Sequence, residues 1–136
     1  MKKMFLLPLF LVLFTSCEKE GEFTKSNTQT INLNTAVLLK TGTLTPTSGI
    51  SGSGNVKVYV ENNQRKLVFE NYTIESGPDL KVYLSTTDSP TTFVNLGNAN
   101  GNSVYTIPSQ VDLDTYKYVL IHCQQYNHLF AIAFLN

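Results

Sequence analysis

Hydrophobic and polar residues alternate with a period of two along much of the second half of the chain. The alternating segments are residues 56–60, 66–69 and 80–84, and the turn residues that follow residues 93–96 and 104–107 mark these as further short strands. Because successive side chains of a strand point to opposite faces, each segment predicts a half-buried β-strand. Residues 117–123 and 129–135 are apolar at nearly every position, which is typical of central strands with both faces covered. Seven or eight short strands at roughly ten-residue spacing predict an all-β fold, an antiparallel β-sandwich.

Polar turn residues separate these strands. Residues 61–64 predict the turn of a hairpin, and residues 97–102 form a cluster of Gly and Asn that closes another strand. Pro108 cannot donate to a ladder and is expected to end the strand before it. The candidates for helical structure are residues 34–40 and a turn near residues 112–116.

The chain begins like a secretory signal. Lys2 and Lys3 are followed by an apolar run over residues 5–14 and then by the small residues Thr15 and Ser16. A basic start, a short apolar run and small residues after it are the pattern of a signal peptide. The run is about half as long as a membrane-spanning helix, which disfavours the alternative of a transmembrane anchor.

The end of this signal, Phe14-Thr15-Ser16-Cys17, resembles a bacterial lipobox, the site at which signal peptidase II cuts before a cysteine. The resemblance implies that residues 1–16 are a lipoprotein signal peptide. It also implies that Cys17 becomes the N-terminus and carries a diacylglycerol and fatty acyl chains such as palmitate. Two or more such chains anchor a protein stably to a membrane. An ordinary secreted protein is the alternative.

Residues 17–34 are polar, which predicts a flexible tether that leads to a folded domain over residues 35–136. Ile31 and Leu33 alternate with Asn and are interpreted as a first strand or its lead-in. A Lys followed by acidic residues directly behind Cys17 resembles the surface-export tag of some Gram-negative lipoproteins. We therefore expect a lipid-anchored outer-membrane protein, with the cell surface favoured over the periplasmic face.

Composition excludes several classes of function. The 136 residues fit one domain, and ten basic residues balance ten acidic ones. A nucleic-acid partner is therefore not expected. The sequence contains no nucleotide-binding loop, zinc-protease motif or serine-hydrolase motif, so an autonomous hydrolase is not expected either. If Cys17 carries lipid, Cys123 is the only thiol, in a compartment that favours oxidation.

Several stretches of the domain occur in an order that is similar to one known family. They are GSGNVKVY at 52–59, LVFENY at 67–72, SGPDLKVYLS at 76–85, NLG at 95–97, YTIP at 105–108, VLIHCQQY at 119–126 and FAIA at 130–133. Their most specific parts are the Gly-Pro-Asp-Leu-x-Val-Tyr-Leu stretch and the late Ile-x-Cys. Together they resemble the DM-thirteen domain family, often called the electron-transfer DM domain, from about residue 41 to the end of the chain.

The resemblance implies an extracellular or periplasmic all-β domain. In animals the family occurs beside DOMON and cytochrome-type domains, which implies redox chemistry with its single cysteine as a thiol or as a ligand of a prosthetic group. Cys123 stands at that position. Two positions differ from many members: His122 replaces a Trp, and Ile50 replaces a His that would be a further candidate cofactor ligand.

The residues themselves leave Cys123 two interpretations. Strict alternation places its side chain on the same face as Val119 and Ile121, where an apolar environment makes a thiol inert. A structural core cysteine is therefore one interpretation, and a redox thiol or ligand is the other. His122 is expected on the opposite face with Leu120, so adjacent His122 and Cys123 cannot bind one metal ion without a bulge.

Two further features are candidates for a site. His128 follows Cys123 across a turn, so the two side chains could meet in a hairpin and hold copper or haem iron. The alternative for both histidines is ordinary polar decoration near a strand end. The motif Gly77-Pro78-Asp79 predicts a rigid turn, with a ligand-binding loop as the alternative.

Two functions follow from these observations. One is a membrane-anchored redox or electron-transfer accessory that uses Cys123 and meets a redox or cell-surface protein partner. The other is a non-catalytic cell-surface binding module in which Cys123 is a structural core residue.

Overall fold

The protein is described here by a computed structural model that covers residues 29–136. The signal peptide, the lipidation at Cys17 and most of the tether were predicted for residues that lie outside this part of the chain. Eight strands follow one another within it. They are β1 (Val37–Pro46), β2 (Gly54–Glu61), β3 (Gln64–Glu70), β4 (Leu80–Ser85), β5 (Phe93–Asn98), β6 (Val104–Ile107), β7 (Tyr118–Cys123) and β8 (His128–Phe134). Every paired neighbour is antiparallel, which confirms the all-β prediction.

The strands form one sheet in the order β5-β4-β7-β8-β1-β2-β3-β6. β1 joins its two halves, because residues 37–44 pair with β2 whereas Thr45 and Pro46 pair with β8. The edge strands β5 and β6 approach each other, so the curled sheet is nearly closed around one core. Within residues 29–136, no helix is long and apolar enough to cross a membrane.

The core is built from alternate side chains that point into the curled sheet. In β2, Val56 and Val58 are fully buried, whereas Asn55 before them is exposed and Lys57 between them is half-buried. Burial of each such aliphatic side chain contributes about 1.5–3 kcal/mol to the stability of the fold. β7 is buried from Val119 to Cys123, as predicted for a central strand with both faces covered.

β8 differs from that prediction. Ala131 and Ala133 are buried, but Ile132 between them is half-buried and Phe134 is exposed. The prediction of two covered faces was wrong for this strand because its outer face is only partly covered. An apolar run indicates that a segment belongs to the sheet, but it does not show how many layers cover the segment.

The start of the domain also differs from the expectations. Leu33 lies in a turn in which the amides of Thr35 and Ala36 donate to the carbonyl oxygen of Asn32 at 3.1 and 3.0 Å. The strand β1 then begins at Val37, so neither a helix over residues 34–40 nor a strand at Ile31 and Leu33 forms. The apolar run that follows the turn is too short for its periodicity to distinguish a helix from a strand. Pairing with β2 decides in favour of the strand.

The predicted hairpin at residues 61–64 is confirmed. Glu61 pairs with Gln64, and the two residues between them, Asn62 and Asn63, have φ values of 49° and 62°. Positive φ at both central positions matches the right-handed twist of the flanking strands, and Asn tolerates it better than most residues.

Candidate functional site

Cys123 is the last residue of β7, and its side chain is 1 % exposed. It belongs to the same apolar cluster as Val119 and Ile121. Its strand neighbours are Leu80 in β4 and His128 in β8. The thiol is free, and an oxidant or partner could reach it only after this end of the core opens.

The turn at residues 77–79 lies against this end of the core. The amide of Gln124, the residue after Cys123, donates to the carbonyl oxygen of Asp79 at 3.0 Å. Gly77 packs tightly, since a Cβ atom at this position would lie 3.0 Å from Cζ of Phe130 and 3.1 Å from a methyl group of Leu80. Backbone bonding and close packing therefore hold the turn next to the strand that carries the thiol.

A cavity of about 460 Å³ opens beside this turn. Its walls are residues 76–81, residues 98–101, Tyr72 and Ile74. The Lys81 side chain connects two of these walls. Its ammonium group lies 3.0 Å from the Asp79 carboxylate and also donates to the side-chain oxygen of Asn98. The motif at residues 77–79 identified one wall from the sequence. The other walls come from separate loops that only the fold brings together.

Tyr72 lines this cavity, yet its hydroxyl group is buried and has no hydrogen-bond partner among the described residues. Burial raises the pKa of Tyr72 to about 12, and the neighbouring Tyr105 adds to the increase. The ring packs edge-on against Phe69 with 5.5 Å between centroids, and Phe69 meets Tyr105 in the same way at 5.7 Å. Tyr72 therefore stays protonated at neutral pH and supplies no base.

His122 is buried on the outer face of β7, although the sequence suggested polar decoration for it. Its Nε2 lies 3.1 Å from Oδ1 of Asn127, whereas its Nδ1 is buried without a partner among the described residues. The ring lies 5.5 Å from that of Tyr83. Burial lowers the pKa of His122, and the nearby His128 lowers it further, whereas the bond to Asn127 opposes the shift. The neutral imidazole is thus the stable form at neutral pH.

His128 does not complete a metal site with Cys123. The backbone register pairs the two residues, but the His128 side chain is exposed and packs edge-on against Phe130 at 5.3 Å between ring centroids. Among residues 29–136, no three His, Cys, Asp or Glu side chains are grouped closely enough to hold a metal ion. The residues around Cys123 therefore do not fit a copper or haem-iron centre bound by several protein ligands.

A wider concavity of about 810 Å³ lies on the outer surface of β1, β2 and β8. Threonine and asparagine side chains line it, together with a 2.9 Å ion pair between Lys57 and Glu70 and the adjoining rings of Tyr118 and Phe134. The lining contains no His or Cys. The polar lining suits the binding of polar molecules. It offers no thiol nucleophile and no histidine base.

Comparison with known proteins places these features in a family. The family model described as Electron transfer DM13 matches residues 46–135, a span that includes Cys123, the turn at residues 77–79 and the cavity beside it. No curated protein and no solved structure matches the chain. The match covers well over half of the chain, and the protein therefore belongs to the electron transfer DM13 family.

Proposed function

We propose that this protein is a membrane-anchored, extracytoplasmic domain with a role in redox chemistry. The observation that carries the proposal is the family match over residues 46–135, which spans seven of the eight strands in full and the position of the single thiol. In this proposal the domain is an accessory that works together with a redox partner.

The membrane anchor of the proposal is the lipid on Cys17. Its support is the basic start, the apolar run at residues 5–14 and the small residues Thr15 and Ser16 before the cysteine. The acidic residues behind Cys17 support a location on the outer surface of the outer membrane.

Cys123 is the proposed redox thiol of the domain. Because the thiol is buried, this end of the core must open before a partner reaches the sulfur, and we place the opening at the turn of residues 77–79, which is bonded to Gln124 and packed against Phe130. A cysteine in such a place reacts at a rate set by local opening, since only the accessible thiolate is a nucleophile. The cavity beside the turn is the surface at which a redox partner would approach.

A second candidate function is a binding module without redox chemistry, in which Cys123 is a core residue. The 1 % exposure of the side chain favours it. In that case the polar walls of the 460 Å³ cavity, with Lys81 and Asp79, bind the partner and the thiol only fills space.

Thiol titration of the purified mature protein distinguishes the two functions. We expect an Ellman-type reagent to modify Cys123 in native buffer at a rate that changes little with low concentrations of urea, because a local opening limits the reaction. A thiol that reacts only as the whole domain unfolds, in a protein without a visible absorption band, would contradict the redox role and support the binding module. The variant Cys123→Ala, which lacks this thiol, gives the background signal of the reagent.

The anchor is tested separately. Cys17→Ala should abolish labelling by radioactive palmitate and release the protein from the membrane fraction. Cys123→Ala is the matched control and should keep both properties. Continued labelling and membrane retention of Cys17→Ala would refute lipidation at this residue.

A further inference from the structure

The surface around the start of β1 is unusually apolar. Among the described residues, the exposed large hydrophobic side chains include four within a seven-residue stretch, and together they define an apolar corner of the domain. They are Leu33 (59 % exposed), Val37 (59 %), Leu38 (48 %) and Leu39 (45 %). Single exposed aliphatic residues are normal on a soluble domain, but a contiguous group of them marks a contact surface.

The described part of the chain leaves this corner without a covering element. β2 pairs with one edge of β1 from Val37 onward. On the other edge, the chain end reaches only Thr41, whose amide and carbonyl groups exchange hydrogen bonds with Asn136 at 3.1 and 3.0 Å. The residues of β1 before Thr41 therefore have no second strand neighbour within residues 29–136.

The geometry of the corner disfavours a second strand as its partner. The register between β1 and β2 shifts between Leu38 and Lys40, so Leu39 forms a bulge. A bulge breaks the regular spacing of ladder groups and is one of the devices by which proteins prevent strands from adding to an edge. The corner thus presents side chains rather than an even row of backbone hydrogen-bonding groups.

The charges around the corner are already paired. Lys40 lies 3.5 Å from the Asp114 carboxylate, and Lys66 lies 3.3 Å from that of Glu61. Lys66 also donates to the carbonyl oxygen of Thr30 at 2.7 Å. The corner therefore offers aliphatic side chains and no net charge to whatever it contacts. A hydrocarbon phase suits such a surface.

We propose that the apolar corner rests on the lipid bilayer to which Cys17 attaches the protein. This inference depends on the lipid anchor of the proposed function. Leu33 follows Cys17 by sixteen residues, which limits their separation to about 55 Å at full extension. The described chain begins at residue 29, only four residues before Leu33, so the anchor holds this side of the domain near the membrane.

The anchor also explains why so small a surface suffices. Four half-exposed aliphatic side chains would not hold a free domain on a bilayer. A linker makes the second contact intramolecular, with an effective concentration of about millimolar for short flexible linkers. Contact at the corner would fix the orientation of the domain. The hairpin between β7 and β8, which contains Tyr126, would then point away from the membrane.

The test uses the full lipidated protein in vesicles of phosphatidylethanolamine and phosphatidylglycerol. In a Cys123→Ala background, Leu38→Cys is labelled with an environment-sensitive nitrobenzoxadiazole dye. Tyr126→Cys is the matched control. Tyr126 is 68 % exposed, and it belongs to the hairpin that meets the far end of β1, where Thr47 donates to Phe130.

We expect the dye at position 38 to emit at shorter wavelength than the dye at position 126 and to be quenched by doxyl-labelled lipids. Salt should change neither result, because the corner carries no net charge. Flotation of the same samples reports the anchor. Equal emission at the two positions in floating protein would overturn the corner contact alone, and loss of flotation would overturn the anchor and this inference with it. An emission shift that vanishes when protein is diluted on the vesicle surface would show contact with a second copy instead of lipid, and would also overturn it.

Discussion

At the scale of single residues, burial decides the chemistry of the two neighbours His122 and Cys123. Both side chains are almost fully buried, but on opposite faces of β7. Cys123 faces the apolar core, whereas His122 lies beside Tyr83 with one ring nitrogen bonded to Asn127 and the other unpaired.

His122 should make the stability of the domain depend on pH. Burial lowers its folded-state pKa below the ordinary value of 6.5, so between these two values the unfolded chain binds more protons than the folded one. The free energy of unfolding should be at its full value above about pH 6.5 and should decrease as the pH falls toward the folded-state pKa. Urea unfolding at a series of pH values measures this dependence.

The substitution His122→Gln should flatten the pH dependence, because it removes the titrating group from the buried site. The exposed His128 provides the control: His128→Gln should flatten the pH dependence less, because burial, the main cause of the lowered pKa of His122, remains. An unchanged slope in His122→Gln would show that another group titrates.

At the scale of elements, the connection from β1 to β2 supports the motif at residues 77–79. Residues 51–53 run beside residues 73–75, with the amide of Thr73 donating to Ser53 at 2.8 Å and the amide of Glu75 donating to Ser51 at 3.0 Å. This pairing fixes the chain directly before the turn that is bonded to Gln124. No strand was predicted for residues 71–75, although Tyr72 and Ile74 alternate there with polar residues.

Gly52 is the tightest point of this pairing. Its φ is +120°, and a Cβ atom there would lie 2.6 Å from Cα of Ile74 and closer still to the carbonyl oxygen of Thr73. Gly52→Ala should lower the free energy of unfolding by about 2–4 kcal/mol, because backbone strain and a clash with backbone atoms add together. Chemical denaturation measures the change.

Gly49→Ala is the matched control for this prediction. Gly49 lies in the same connection with φ +83°, but a Cβ atom there meets nothing within 4 Å. Its substitution should cost only about 1–2 kcal/mol of conformational strain. Equal losses in the two variants would contradict the importance of the close approach at Gly52.

At the scale of the whole molecule, the fold depends on β1, the strand that belongs to both halves of the sheet. Its residues 37–44 extend the ladder that contains β2, and its last two residues reach β8. The chain end completes the junction through the mutual hydrogen bonds of Thr41 and Asn136. Without this junction the two ladders would share no hydrogen-bonded strand, because β5 and β6 approach each other at the opening without pairing.

Gly42 permits the junction. A Cβ atom at this position would lie 2.6 Å from the backbone oxygen of Phe134 in β8. Gly42→Ala should therefore push β1 and β8 apart, lower the free energy of unfolding by about 1–3 kcal/mol and speed hydrogen exchange at the amides of Thr41 and Asn136. Thr43→Ala, at an exposed position of the same strand, should change stability by no more than about 0.5 kcal/mol. Unaltered exchange at both amides in Gly42→Ala would argue against the junction.

The sequence by itself determined the class of fold and most of its strands. Alternation of polar and apolar residues identifies a strand wherever one face is buried, and the paired asparagines at 62 and 63 identify the hairpin turn, because these signals are local. The strand β1 was not predicted, since its first half carries apolar residues at consecutive positions and not at alternate ones, and its identity depends on pairing with β2. The motif at residues 77–79 was visible as a turn for the same local reason.

Only the tertiary structure decided which side chains are accessible and which meet. The partial exposure of β8, the burial of His122 and the contrast between the exposed His128 and the buried thiol depend on how far neighbouring layers cover each face. The cavity walls beside the turn come from segments far apart in the chain, and the apolar corner stays exposed because no second described strand pairs with the start of β1. Local sequence patterns carry no information about contacts between distant segments, because these contacts follow from the closure of the sheet and not from the spacing of residues along the chain.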